Sequence, residues 1–364
     1  GNCTMIIVDA HLDLSMNALQ WNRDLLQSVY TIRTLEQRTP GKGRGMGTVA
    51  YPEMRRGRVA LTVATLIARS TGLAAPHIDY PSPTQAYGMA RGQLAYYRAL
   101  ESEGHVRILT EKAGLDAHMD EWLAWDAATA EVTEDTPPLG FVISMEGADP
   151  ILHPEQLNEW WDVGLRLLGP THYGPGRYAG GTGTELGLSD IGVRLVQEMD
   201  RIGMLLDLTH MSDQAFWQAL DHYSGAVLAS HNNCRALVPH QRQFSDEQFQ
   251  AIFERNGVIG AAFDAWMLNP DWVAGENTNQ TVTIATVVDH IDYICQLAGN
   301  AQHVGLGTDL DGGYGREQSP HDLDTIADLQ EVATLLNVRG YAQEDIEAIM
   351  YGNWRRFLTS AWSK

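Results

Sequence analysis

GMLLDLTH at 203–210 and GAVLASHN at 225–232 share one grammar: a glycine-led run of aliphatic and small residues that closes on a hydroxylated residue followed by histidine. The same pattern of a short apolar run ending in polar residues recurs in MIIVDAHLD (5–13), VALTVATL (59–66), LGFVISMEG (139–147), LRLLGPTH (165–172), GVIGAAFD (257–264) and HVGLGTDLD (303–311). Each run is of strand length, rich in Val, Ile, Leu or Ala, and bounded by turn residues. Between most of them lie amphipathic stretches of helical length. SDIGVRLVQEMDRI (189–202) and SDEQFQAIFERN (245–256) both open on a Ser-Asp cap signal. Continuous apolar strands alternating with helices predict a parallel sheet covered on its outer face, and eight of them predict a closed (β/α)8 TIM-type barrel, one domain over residues 1–364 with insertions. A ninth candidate, VRILT (106–110), is assigned to an insertion between the second and third of these strands.

Outside this grammar, DAATAEVTEDTPP (126–138) is acidic and ends on prolines, which reads as a surface excursion. GPGRYAGGTGTE (174–185) predicts a mobile loop at the barrel mouth, and GKGRGMG (41–47) is similar. Neither has the strand-loop-helix spacing of a nucleotide-binding motif.

The chain has 364 residues and 44% hydrophobic content, enough for a full core, without an apolar run of membrane-spanning length. Its 25 basic residues against 46 acidic ones leave a formal charge of −21, which repels phosphate backbones and excludes nucleic acid as a partner. Cys3, Cys234 and Cys295 show no paired spacing, so neither a disulfide framework nor a CxxC knuckle is expected. The N-terminal GNCTMIIVDAH has no basic start followed by a long apolar stretch. The expectation is a cytoplasmic protein off the membrane, with room before Gly1 for a leader already trimmed away.

In a barrel of this kind the polar residues that close each run converge on one face. Here they are His11, Asp13, Glu146, His172, His210, His231, Asp309 and Asp311, and imidazole with carboxylate is the donor set that zinc and similar ions favour. His11 and Asp13, one residue apart on a strand, point the same way, either to grip one ion together or to hydrogen-bond each other. Glu146 follows the apolar FVISM, so its buried charge needs compensation from bridged cations or from an Arg. His210 and His231 close consecutive strands in matching fashion and are expected to share a second ion. The remaining histidines, His118 and His290 among them, are read as surface or supporting residues.

Taken jointly, VDAHLDL, SMEGAD, LLGPTH, MLLDLTHMSD, ASHNNCRALVPHQRQFSDE, VGLGTDLDGG and the closing YGNWRRFL resemble the renal (membrane) dipeptidase family of zinc peptidases, a branch of the amidohydrolase superfamily. The resemblance spans nearly the whole chain. It implies two Zn2+ per chain, one held by His11, Asp13 and a bridging Glu146, the other by Glu146, His210 and His231. It further implies that His172 contacts the substrate and steadies the carbonyl oxygen, that Arg242 binds the substrate's terminal carboxylate, and that Asp309 transfers the proton. Arg235 is a competing basic residue close by. The implied reaction is hydrolysis of the amide bond of small dipeptides, L-Xaa-D-Xaa among them, by a metal-bridging hydroxide. The implied partners are a dipeptide substrate and at most a second copy of the chain in a homodimer. The alternatives are another two-metal hydrolase acting on a small amide, ester or N-acyl amino acid, and a catalytically silent ligand-binding barrel. RVALTVATL (58–66) and the loop after His172 depart from the family's animal members, so the metal chemistry is read more firmly than the substrate.

Overall fold

The computed structural model describes residues 4–73, 77–128, 131–133, 135–273 and 275–363. Nine parallel strands form one sheet: β1 (Ile7–Leu12), β2 (Val59–Leu66), β3 (Val106–Ile108), β4 (Leu139–Glu146), β5 (Leu165–Gly169), β6 (Leu205–Asp207), β7 (Val227–Leu228), β8 (Ile259–Ala261) and β9 (Val304–Leu306). Eight of them run in the order β7-β6-β5-β4-β2-β1-β9-β8, and a bridge between Ala229 and Ile259 joins the two ends into a barrel. The expected (β/α)8 architecture is the observed one.

VRILT forms β3, which pairs with Leu139–Phe141 of β4, on the edge that β5 takes over from Ile143 onward. It lies off the eight-strand path, so the expectation of an inserted element holds.

Every residue of β1, β2 and β4 is buried, as a strand must be when side chains on one face fill the barrel and those on the other meet helices. The helices begin where the Ser-Asp signals place them. Ser189 caps Asp190–Ile202 by accepting from Gly192 N, and Ser245 forms a full capping box with Gln248 at Asp246–Glu254. Leu195, Val196 and Met199 supply the buried stripe of the first of these helices, which stops at Gly203 in the left-handed conformation.

The late strands are shorter than their apolar runs. β6 ends at Asp207 and β7 at Leu228, three residues before His210 and His231, so those histidines stand in the turns beyond the strands. His210, Asp309 and Asp311 have φ of 68°, 57° and 61°, left-handed backbone that lifts the chain out of the ladder toward the mouth. Two glycines make this closure possible. A Cβ on Gly260 or Gly307 would lie 1.9 or 1.7 Å from Ser230 O, the residue before His231.

Two histidines read from the sequence as surface or supporting are in the core. His118 Nε2 lies 2.8 Å from Ala60 O and its Nδ1 3.0 Å from Arg107 Nη1, while His290 Nδ1 accepts from Cys234 N. Cys234 and Cys295 are free and buried; Cys3 lies outside the described residues. Among the described residues no helix is long and apolar enough to cross a membrane.

Candidate metal centre

Strand ends and the turns beyond them carry the polar set to one mouth of the barrel, and Glu146 is its hub. Its Oε2 lies 2.7 Å from His11 Nε2 and its Oε1 2.8 Å from His172 Nε2. His210 Nε2 is 3.8 Å from Oε1 and His231 Nε2 3.8 Å from Oε2, and these two nitrogens stand 3.3 Å apart. Asp13 Oδ2 and Asp309 Oδ1 approach His11 Nε2 to 3.6 and 3.7 Å. All five expected ligands, with His172 and Asp309, therefore share one cluster.

The grouping differs in detail from the expected partition. Donor atoms within 4.8 Å of one another fall into three sets: His11, Glu146 and His231; Glu146, His172 and His210; and His11, Asp13 and Asp309. Glu146 belongs to two of them, as a bridging carboxylate would. Proximity alone does not separate ligand from neighbour here.

The donor set fits divalent cations. His11 Nε2, Asp13 Oδ1 and Glu146 Oε2 are buried and have no hydrogen-bond partner among the described residues. Orphaned buried donors and acceptors are rare because each forfeits its hydration without return. His11 Nε2 and Glu146 Oε2 are close enough to bond but misaligned for sharing a proton. Two lone pairs aimed at a common cation have that relation.

Electrostatics point the same way. Burial, then the charges of Arg242 and His172, holds the His210 imidazole well below its usual range. Burial and then His11 do the same for His231, leaving both neutral as ligands must be. Burial alone would raise Glu146, yet His11 and His172 override it and keep the group an anion. For His11 burial pulls downward, but the carboxylates of Glu146 and Asp13 outweigh it and favour positive charge at this position. Burial, joined by the Asp13 charge, pushes Asp309 well up.

The cluster opens into a cavity of about 180 Å³, a volume suited to a small ligand. Arg242 lines it and is itself held by Asn232 Oδ1 at 2.6 Å and His231 O at 2.9 Å. Arg235 does not line it; its guanidinium pairs with Asp213 at 2.7 and 3.0 Å. Asp311 is likewise turned away, its carboxylate accepting from Thr48 N, Thr48 Oγ1 and Val49 N. A larger groove of about 550 Å³ lies at the amino-terminal ends of β6 and β7, but no histidine lines it. The chemistry sits in the smaller cavity.

Sequence reasoning missed several residues. Arg69 and Asp264 line the cavity, Asp264 with its carboxyl pushed up to about 6 by burial. Asp264 closes the run GVIGAAFD, so a signal was present; Arg69 had none. Asp9 and Asp207 lie just before His11 and His210 and lace neighbouring strands, Asp9 to Thr308 and Asp207 to Ser230 N. The glycine-rich loop lies at the barrel mouth, as expected. Bridges Tyr173–Thr182, Pro175–Gly180 and Gly181–Met211 fold it onto the barrel, residues 178–182 are buried, and Thr182 Oγ1 is 2.9 Å from His210 Nδ1. Through Thr182 that loop backs the His210 ring from outside the cluster.

A parallel β/α barrel with imidazoles and carboxylates converging at its mouth defines the class, a metal-dependent hydrolase barrel. The sequence model of the membrane dipeptidase family, peptidase family M19, matches residues 3–362, and the chain belongs to that family. A Klebsiella pneumoniae protein named for the 5′ region of pqqA is 30% identical over 251 residues, 66% of this chain and 89% of its own. Dipeptidase tcpJ of Claviceps purpurea is 36% identical over 172 residues, 47% of this chain but only 38% of its own length. In fold, the chain is similar to a Rhodobacter sphaeroides metallopeptidase crystallised with a phosphinate mimic of the dipeptide L-Ala-D-Ala, at a TM-score of 0.78 and 22% identity over 99% of this chain and 100% of that one. The crystal structure of dipeptidase AC gives 0.77 and 23% over the same shares.

Proposed function

We propose that this chain is one hydrolase domain, residues 1–364, that works as a zinc-dependent dipeptidase on small dipeptides, L-Xaa-D-Xaa among them. The observation that carries the reading is the buried Glu146 carboxylate among four imidazole Nε2 atoms, with unmatched lone pairs on His11, Asp13 and Glu146 itself. In this reading His11, Asp13 and Glu146 would hold one Zn2+, and Glu146, His210 and His231 would hold the other. Bound there, zinc supplies Lewis acidity toward the scissile carbonyl and acidifies a water to near neutrality.

The chain's own residues do the rest. Arg242, buried at the cavity wall, offers its free N–H groups to the substrate's terminal carboxylate as a forked pair. His172 faces the site beside Glu146 and steadies the carbonyl oxygen as it gains charge. Asp309, whose Oδ1 lies 3.7 Å from His11 Nε2 within the cluster, takes the proton of the attacking water as a carboxylate and returns it to the leaving amine. A cavity of about 180 Å³ suits a dipeptide better than a longer chain. The phosphinate L-Ala-D-Ala mimic bound by the Rhodobacter sphaeroides neighbour supports counting L-Xaa-D-Xaa dipeptides among the substrates.

The test is metal analysis of the purified protein with turnover on L-L and L-D dipeptides, N-acyl amino acids and esters. Two zinc ions per chain and preference for free dipeptides are expected. Full activity in metal-free protein overturns the reading, and preference for esters or N-acyl amino acids moves the same site to another amide or ester substrate.

A further inference from the structure

We infer that Arg69 is a positioning residue that fixes the tautomer of His172, making it an obligate hydrogen-bond donor to the substrate carbonyl and keeping it from being a fourth imidazole ligand. The inference rests on the dipeptidase reading for its catalytic consequence, but its structural part stands on geometry alone.

Four imidazoles, His11, His172, His210 and His231, present Nε2 to Glu146, and they differ in what faces Nδ1, which for His11 is Thr65 Oγ1 at 3.4 Å. His172 Nδ1 lies 2.8 Å from Arg69 Nη1. A guanidinium donates and never accepts, and it stays protonated at any pH a protein survives. His172 Nδ1 is therefore the acceptor, and the ring's proton is on Nε2, directed at Glu146 Oε1 at 2.8 Å. His210 has the opposite arrangement. Thr182 Oγ1 has His210 O at 3.3 Å to donate to, so at 2.9 Å the hydroxyl is able to accept from Nδ1–H, an arrangement that leaves the Nε2 lone pair free. His231 Nδ1 faces Ser230 Oγ at 2.9 Å, a hydroxyl equally able to accept.

A nitrogen carrying a proton cannot ligate a cation, so His172 is excluded from the ligand set although it sits within ligand distance of Glu146 and His210. The same Nε2–H is a donor ready for an oxygen gaining negative charge, and the charged partner at Nδ1 polarises the ring and strengthens it. Arg69 is held firmly for this task. It is 3% exposed, and its backbone pairs with Ile78 and Tyr80 at 2.5 and 2.7 Å. Its Nε stands 3.2 Å from Asp79 Oδ2, and Asp79 is fixed in turn by Thr71 and Gly72.

The experiment uses 15N-histidine-labelled protein, metal-free and zinc-loaded, with long-range 15N–1H correlation spectra that report which ring nitrogen bears the proton. The His172 signals are assigned by their loss in His172→Asn. The wild type is expected to show His172 protonated at Nε2 only, and Arg69→Met to lose that exclusivity. In steady-state assays Arg69→Met is expected to lower kcat about 10- to 100-fold with KM within about threefold, less than deleting a direct oxyanion donor. The Arg69→Met/His172→Asn double variant should be no slower than His172→Asn alone, because Arg69 acts only through that ring. Arg69→Lys, which keeps a donor, is expected to hold the tautomer. Should Arg69→Met fail to fold, the wild-type spectrum and Arg69→Lys decide the matter. A wild-type His172 protonated at Nδ1, or additive losses in the double variant, overturns the inference. If no dipeptide is turned over, the functional reading falls while the spectra still test the tautomer.

Discussion

Asp309→Asn is the substitution that best isolates proton transfer from metal binding and folding. Asp309 has φ of 57°, a left-handed conformation that Asn adopts readily and Ala does not, so Asn adds no backbone strain. The backbone contacts around the turn, from Asp309 N to His11 O at 3.2 Å and from Gly312 N to Asp309 O at 3.0 Å, do not involve the side chain. Burial disfavours the charged carboxylate, so a neutral amide of the same shape is no costlier to bury. Stability and zinc content should therefore stay near wild type. What disappears is a proton acceptor, worth at least ~100-fold in kcat, or about 2.7 kcal/mol in the barrier. Asp311→Asn is the control. Its two oxygens accept backbone N–H from Thr48 and Val49, so an amide N–H₂ must face donors. The expected result there is a loss of about 3 kcal/mol or more in stability, read as a drop in Tm, with a smaller effect on the chemistry of what remains folded. The assay is kcat, KM, zinc content and thermal unfolding for both variants. An Asp309→Asn enzyme that is metal-replete and within about tenfold of wild-type kcat would show that another group moves the proton.

Glu146→Gln should lower zinc content and activity together, because one buried carboxylate faces every imidazole of the cluster; circular dichroism should still report a folded barrel, and full zinc occupancy would count against a bridging role. Arg242→Lys loses the planar fork and should slow dipeptides with a free carboxylate more than substrates in which it is blocked; equal losses would make Arg242 structural through Asn232 and His231 O. His118 bears on stability with pH: burial, and then Arg107, hold its imidazole at about 4, while in the unfolded chain it titrates near its ordinary 6.5. The unfolded state binds the extra proton between those values, so the contribution of His118 is complete above pH 6.5 and fades as pH falls toward 4, by about 3 kcal/mol. Urea unfolding of metal-free wild type and His118→Gln should show the stability gap between them narrowing across that window, and a constant gap would refute the assignment.

Local physics was enough for the strands, the caps and most members of the candidate site. Apolar runs such as VALTVATL and LGFVISME are buried on both faces because a barrel strand has no wet side, and that demand is written into consecutive residues. Ser189 and Ser245 announce their helices because a cap reaches only three residues ahead. Glu146, His11, His210 and His231 were legible as polar residues closing apolar runs. Other features depend on which distant segments barrel closure brings together. Arg69 meets His172 across 103 residues of chain, and Thr182 supports His210 from a loop whose composition suggested mobility. That loop packs against the barrel because its backbone groups find partners there, a matter of neighbours and not of composition. His118 and His290 are buried because a carbonyl or an N–H of another element meets each ring, and no spacing in the sequence records that meeting. The donor types were set along the chain, whereas the partners that face Nδ1 of His172 and His210 were decided by tertiary contacts.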